Sequence, residues 1–290
     1  MKDKAAFSRL LLARNPDIYP DVLAELAKDE ELAIRFEVAR NKNTSAETLA
    51  ILAKDKFNCV RLAVAENLHS SAETLAALAK EDNCLIGCAV ARNMNTSAET
   101  LAALAKEDDS LIRWWVAQNK STPVGVLKSI ASRETSPVTL TTLSLHADSC
   151  VRMDVSVNPH TPFSVLLKLA KDEDYAVRFG VAKNVNTPAE TLAELAKVDS
   201  LRDIVAQNMN TPAETLSLLA KDDSYLVRMG VAKNPHTPVN IIKQLEKDFV
   251  SVVRKAAAAA KSEMDLLSPK MSVESISRKK ETTDSPKMKI

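Results

Sequence analysis

One phrase recurs along the chain. It reads NTSAETLAILAK at 43–54, NTSAETLAALAK at 95–106, NTPAETLAELAK at 186–197 and NTPAETLSLLAK at 210–221. A second phrase, close to V-R-x-x-V-A-x-N, follows each copy. Its closing residues are Asn15, Asn41, Asn67, Asn93, Asn119, Asn158, Asn184, Asn208 and Asn234. Most neighbouring asparagines are 26 residues apart; Asn184 to Asn208 is 24, and Asn119 to Asn158 is 39, one repeat and a half. Self-similarity at such a period excludes most compact folds, because each unit is one supersecondary element that must stack on its neighbours.

The chemistry of one unit predicts two short helices. In 186–197, Thr187 suits a helix N-cap, with Glu190 reaching back as a capping box and Pro188 at the first helical position. Leu192, Leu195 and Ala196 then share one apolar face. An acidic loop follows, clearest at Lys221-Asp222-Asp223-Ser224, and Val227 to Lys233 forms the second helix with Val227 and Val231 inward. Asn234 is expected to end it in the left-handed conformation and to bond its own turn. Helices this short are unstable alone in water, so neighbours must stack. The reading is all-α: a right-handed α-solenoid of about nine 26-residue two-helix repeats with one half-repeat break.

That break lies in 121–148, where Thr122-Pro123 and Ser136-Pro137 both start helices with no V-R-x-x-V-A phrase between them. A missing second helix either leaves a gap in one layer or lets two first helices pack directly, with a kink near Ala131 to Pro137. The domain reading is therefore 1–131, 132–261 after the missing helix, and a disordered tail at 262–290, where the period is lost and Ser, Lys and Glu dominate.

The phrase N-x-N-T-P-x-E-x-L-x-x-L-A-x-D followed by V-R-x-x-V-A resembles the leucine-rich repeat variant family over about residues 7–255. The resemblance implies a HEAT-like scaffold of alternating short α and 3₁₀ helices in a curved superhelix, without naming a partner. Some members carry an N-terminal cysteine cluster for an iron–sulfur centre. Here no cysteine precedes Cys59, so no cofactor is implied.

With 39 Lys and Arg against 38 Asp and Glu, the chain lacks the strong basic excess of a nucleic-acid surface. No apolar run is long enough to span a membrane, and the start lacks a convincing signal peptide; a cytoplasmic protein is expected. Four cysteines are too few for a disulfide scaffold. Cys84 and Cys88 are one turn apart, but a zinc site needs more ligands, so packing as small partly buried groups is the expectation and no metal is assigned.

Three columns recur in register. Arginine occupies Arg9, Arg35, Arg61, Arg113, Arg152, Arg178, Arg202, Arg228 and Arg254, broken at Gly87. An acid six residues earlier (Asp3, Asp29, Asp55, Glu81, Glu107, Asp172, Asp222, Asp248) favours a structural ion-pair ladder over a ligand-facing row. Asparagine is a turn residue. The column after the arginine holds Phe36, Leu62, Trp114, Met153, Phe179 and Met229, and helix geometry turns it away from the core. Trp115 replaces Ala63, Ala89 or Gly180 of other repeats. An apolar stripe of this kind marks an interaction surface, unless neighbours cover it. These seven residues are the candidate partner-binding site. His69, His160 and His236 share a loop position in separate repeats and read as turn residues.

No nucleophile–base pair, phosphate-cradling glycine loop or metal spacing emerges, so no enzyme is expected. The leading reading is a non-enzymatic scaffold that binds a protein or peptide on its concave face. The alternative is a nucleic-acid binder, or a HEAT-like DNA glycosylase, using the arginine column and the two tryptophans.

Overall fold

The structure is a computed structural model that describes residues 2–267, with side chains from 5 to 266. The described residues contain twenty α-helices, one 3₁₀ helix and no strand. They cluster into two compact units, Met1–Thr191 and Leu192–Ile290. The boundary falls beside the 24-residue repeat, and the break at 131–137 lies inside the first unit.

Each repeat supplies a seven-residue first helix, such as Ala46–Leu52, and a nine-residue second helix, such as Asn58–Glu66. Second helices stack along the array in each unit: Leu32–Arg40 on Asn58–Glu66 on Cys84–Arg92, and Arg202–Gln207 on Tyr225–Lys233. The core is mostly one leucine pair per first helix and one Val or Ile with a Val per second helix. Leu49, Leu75, Leu101, Val64, Val90 and Val181 are all fully buried. The shortened repeat replaces one helical turn with the 3₁₀ helix Asp199–Leu201, which keeps Leu201 in the core.

The helix ends differ from the sequence expectation. The Thr187 hydroxyl turns back and donates to Val181 O at 2.6 Å, as Thr44 does to Val38 O at 2.5 Å. The last carbonyls of a helix lack internal partners, and a threonine six residues on satisfies one. The N-cap is the next residue. Ser45, Ser71 and Ser97 accept from Thr48, Thr74 and Thr100 N–H. In other copies a proline holds that place in extended conformation, as Pro212 does, with no side-chain cap; the helix after Pro188 begins at Ala189. Beside the cap serines, Glu47, Glu73 and Glu99 bond their own backbone N–H and the serine hydroxyl, which holds their carboxyls below the usual value.

Asparagine also works differently. Among the described residues no non-glycine residue has positive φ, and Asn41 sits at φ −69°, ψ 130°. Its Oδ1 accepts from Asn43 N–H, as a turn asparagine does, but its Nδ2 donates to Ala13 O and Asn15 O of the preceding repeat. Asn67, Asn93, Asn119, Asn184 and Asn234 repeat both contacts one unit on. An extended backbone is what lets the amide reach backward; a left-handed residue would turn it out of the stack.

At the break, neither expected outcome holds. Val124–Arg133 grows to ten residues and packs along Ser149–Val157 in place of the missing second helix, while Pro137–Leu143 packs on Ser110–Gln118. Asn158 confirms the substitution: its Nδ2 donates to Ala131 O and Glu134 O, the backbone places a second helix would offer. A proline-started helix lengthened by three residues thus serves as a second helix. At the other end, Ser251–Leu267 stays helical six residues into the stretch read as tail. Ser268-Pro269, Ser285-Pro286 and the rest of that tail lie outside the described residues.

Close stacking leaves no room for a side chain at Gly180. A Cβ built there overlaps Ser156 Oγ and comes within 3.1 Å of Ser156 Cβ and Val157 Cγ1. Gly180→Ala is therefore expected to destabilise by about 1–3 kcal/mol. Ser156→Ala in the same chain should restore much of that loss, as read from thermal melts. An unchanged melt for the single variant would show that the two helices separate freely.

Candidate interaction face of the second helices

Most of the arginine column forms a ladder that runs between repeats; Arg178, whose ladder place holds Val198, bonds the Asp172 and Glu173 carbonyls of its own repeat. Arg35 Nε lies 2.5 Å from Asp55 Oδ2, and Arg61, Arg152 and Arg228 pair with Glu81, Asp172 and Asp248 at 2.7–2.8 Å. In each case the acid belongs to the following repeat. The same guanidinium bonds inside its own repeat through Nη1, which donates to the carbonyl of the residue six positions back: Asp29 for Arg35, Asp55 for Arg61, Asp222 for Arg228. Both edges are thus spent on structure.

The acids show the effect. Burial pushes the Asp55 carboxyl up, but hydrogen bonds from Arg35 and Phe57 N–H outweigh it and hold the carboxyl below its usual value. At Asp172 and Asp248 the arginine hydrogen bond is itself the largest influence, again downward. Phe249 lies over Arg228, its centroid 4.6 Å from the guanidinium carbon.

The break needed a new acid. Arg113 pairs with Glu134 at 2.6 Å, and Glu134 is wholly buried at the end of Val124–Arg133. Its Oε1 also accepts from Thr135 and Ser136 N–H. Sequence reading missed this residue because it lies outside the acid column's register.

The column after the arginine is neither bare nor packed away. Phe36, Leu62, Trp114, Met153, Phe179 and Met229 are all half-buried, and so is Trp115. Trp114 Nε1 donates to Thr142 Oγ1 at 3.2 Å, and Trp115 meets Trp114 edge-on with centroids 4.6 Å apart. Arg92 lies over Trp115 at 5.3 Å, Arg40 over Phe36 at 5.6 Å, and Tyr175 beside Phe179 at 6.1 Å.

What sequence reading did not single out is the next column on the same face. The residue two before the arginine place is exposed: Cys59, Leu85, Leu111 and Leu226. At 100° per residue it falls within 100° of the residues one, two and five after the arginine. Three consecutive second helices of the first unit therefore present Cys59 and Leu62, then Leu85, then Leu111, Trp114 and Trp115 on one face, over the buried Ala63, Cys88 and Ala89. Leu85 is 66% exposed and Leu111 47%. Glu66, Arg92 and Gln118 form its polar rim, and a cleft of about 310 Å³ opens beside it between Glu66, Leu68, Ala89 and Arg92. The signal was present as Cys59, Leu85 and Leu111 at one register position. In the second unit the corresponding places include Ser200, Asp203 and Gln207, and the stripe is broken.

His69, His160 and His236 donate their backbone N–H to Asn67, Asn158 and Asn234. Among the described residues no three His, Cys, Asp or Glu side chains gather as a metal would need, and no helix is long and apolar enough to cross a membrane.

No known protein-family profile matches the sequence, and no curated protein matches it. Solved structures do. The chain is similar to "a leucine-rich repeat variant with a novel repetitive protein structural motif", at 23% identity over 81% of this chain and 88% of that one, with a TM-score of 0.37. It is also similar to the archaeal HEAT-like repeats protein from Thermococcus onnurineus NA1, at 12% identity over 87% and 99% with a TM-score of 0.20. A designed armadillo repeat protein aligns at 12% identity over 83% and 97%, with a TM-score of 0.19. By its own stacked helices and inter-repeat ladders, the chain is an all-α helical-repeat protein.

Proposed function

We propose that this protein is a non-enzymatic scaffold that binds a protein or peptide partner on the face of its second helices, the side read as concave. The observation that supports this most is the run of exposed and half-buried apolar side chains over three consecutive second helices, from Cys59 to Trp115. Contiguous apolar surface with a polar rim is what protein interfaces use, and aromatic side chains, tryptophan above all, supply their anchors. The nucleic-acid alternative relied on free guanidiniums. Arg35, Arg61, Arg113, Arg152 and Arg228 are committed to carboxylates and carbonyls instead. Phosphate contacts from them would require breaking the ladder.

The test uses Leu85→Asp with Leu111→Asp, both at exposed positions that the fold does not need. Wild-type and variant chains serve as bait in a lysate of the source cell, with circular dichroism to verify equal helix content. Capture of a protein by wild type, reduced at least about tenfold in the variant, is the expected result; two desolvated interface positions are worth more than 1.4 kcal/mol together. Equal capture by both, or capture of nucleic acid alone, would overturn the reading.

A further inference from the structure

We propose that Cys84 and Cys88 form a binding site for a soft, two-coordinate metal ion of the copper(I) class. The two thiols lie one turn apart on Cys84–Arg92, with Sγ atoms 3.9 Å apart. The helix fixes that separation, so no chain ordering is needed to bring the ligands together. Cys84 is exposed and provides an entry path, whereas Cys88 is buried and shields the inner ligand from water.

The surrounding charge is arranged for a cation. This is the one repeat whose arginine place is taken by glycine, and Ile112 occupies the adjoining space, with Cδ1 2.8 Å from where a Gly87 Cβ would sit. The column's guanidinium is therefore missing from this repeat. Asp109 hydrogen-bonds Cys84. Glu107 holds the place where other repeats pair an acid with the arginine twenty residues earlier, and here that residue is Gly87. Asp109 thus brings negative charge to both thiols.

Ligand number selects the metal. Among the described residues no group of three His, Cys, Asp or Glu is placed to hold a metal, so a tetrahedral zinc site cannot be completed. Soft thiolates favour copper(I), which is satisfied by two of them. On binding, each thiol releases its proton to solvent as an S–Cu bond forms. No electron is transferred.

The test uses the full chain carrying Cys59→Ser and Cys150→Ser, titrated anaerobically with copper(I) against a chromophoric copper(I) chelator. One copper per chain with a thiolate-to-metal absorption band is expected. Adding Cys88→Ser should weaken binding by about 100-fold or more, since losing even an outer-shell partner costs about 10–100-fold. Cys84→Ser, at an exposed position, should do the same and keeps the test decisive if Cys88→Ser fails to fold. A background chain that yields all its copper to the chelator, or a Cys84→Ser chain that binds equally well, would overturn the proposal.

Discussion

Glu134→Ala is expected to destabilise the first unit by about 3–5 kcal/mol, the usual cost of removing one partner from a buried ion pair. Glu134 is wholly buried and bonds Arg113 through both oxygens, at 2.6 and 2.8 Å. Its loss leaves a guanidinium without its carboxylate and frees the Thr135 and Ser136 N–H groups at the start of Pro137–Leu143. Because Val124–Arg133 stands in for a missing second helix, this one side chain holds the irregular turn of the array to its regular part.

The pH dependence has a definite sign. Burial pushes the Glu134 carboxyl up, but Arg113 and the Ser136 N–H outweigh it and hold it below its usual value. A depressed carboxyl stabilises the fold above its unfolded pKa, and the contribution is lost as pH falls through the folded value. Asp29, Asp55, Asp172 and Asp248 shift the same way. Denaturant melts at neutral and acidic pH should therefore show wild type losing stability with acid, and Glu134→Gln losing less of it. Equal acid sensitivity in both would mean that Glu134 is not ionised in the folded chain.

Asn93→Asp is the second large expected effect. Asn93 donates from Nδ2 to Ala65 O at 2.8 Å and Asn67 O at 3.0 Å, and accepts from Asn95 N–H. Aspartate retains the acceptor but turns the donor into a charged oxygen aimed at two carbonyls, in a residue that is 4% exposed. Each buried group left unsatisfied costs about 1–3 kcal/mol, so a loss of about 3 kcal/mol or more is expected, with Asn93→Ala milder. Since stacked repeats communicate only with neighbours, the loss should appear as early unfolding around this junction. Amide exchange in Asn58–Glu66 and Cys84–Arg92 reads it directly. A variant that melts like wild type would remove the asparagine column from the account.

How much of this was legible follows from what kind of contact each residue makes. The two-helix unit, its inward leucines and valines, and the arginine–acid pairing all follow from local period, because the same solution is repeated. The direction of the Thr187 hydroxyl, the asparagines' left-handed backbone and their reach to the preceding repeat were misread or missed, while their turn bond was read correctly. Their isolated chemistry suggests a cap and a turn, whereas stacking gives them carbonyls of an earlier helix or repeat to satisfy. Glu134 was invisible because it answers a break in the period and so has no column. At the candidate face, Trp114 and Phe179 were legible as apolar residues off the core direction. Their half-burial, and the exposure of Leu85 and Leu111 beside them, depend on how closely successive second helices approach.

The most direct measurement of the central claim is hydroxyl-radical footprinting of the chain alone and with its captured partner. Oxidation of Leu85, Leu111, Trp114 and Trp115 should fall on binding, while Ile51 and Val138 on first helices keep their reactivity. Unchanged oxidation at those four residues, with protection confined to Ile51 and Val138, would contradict it.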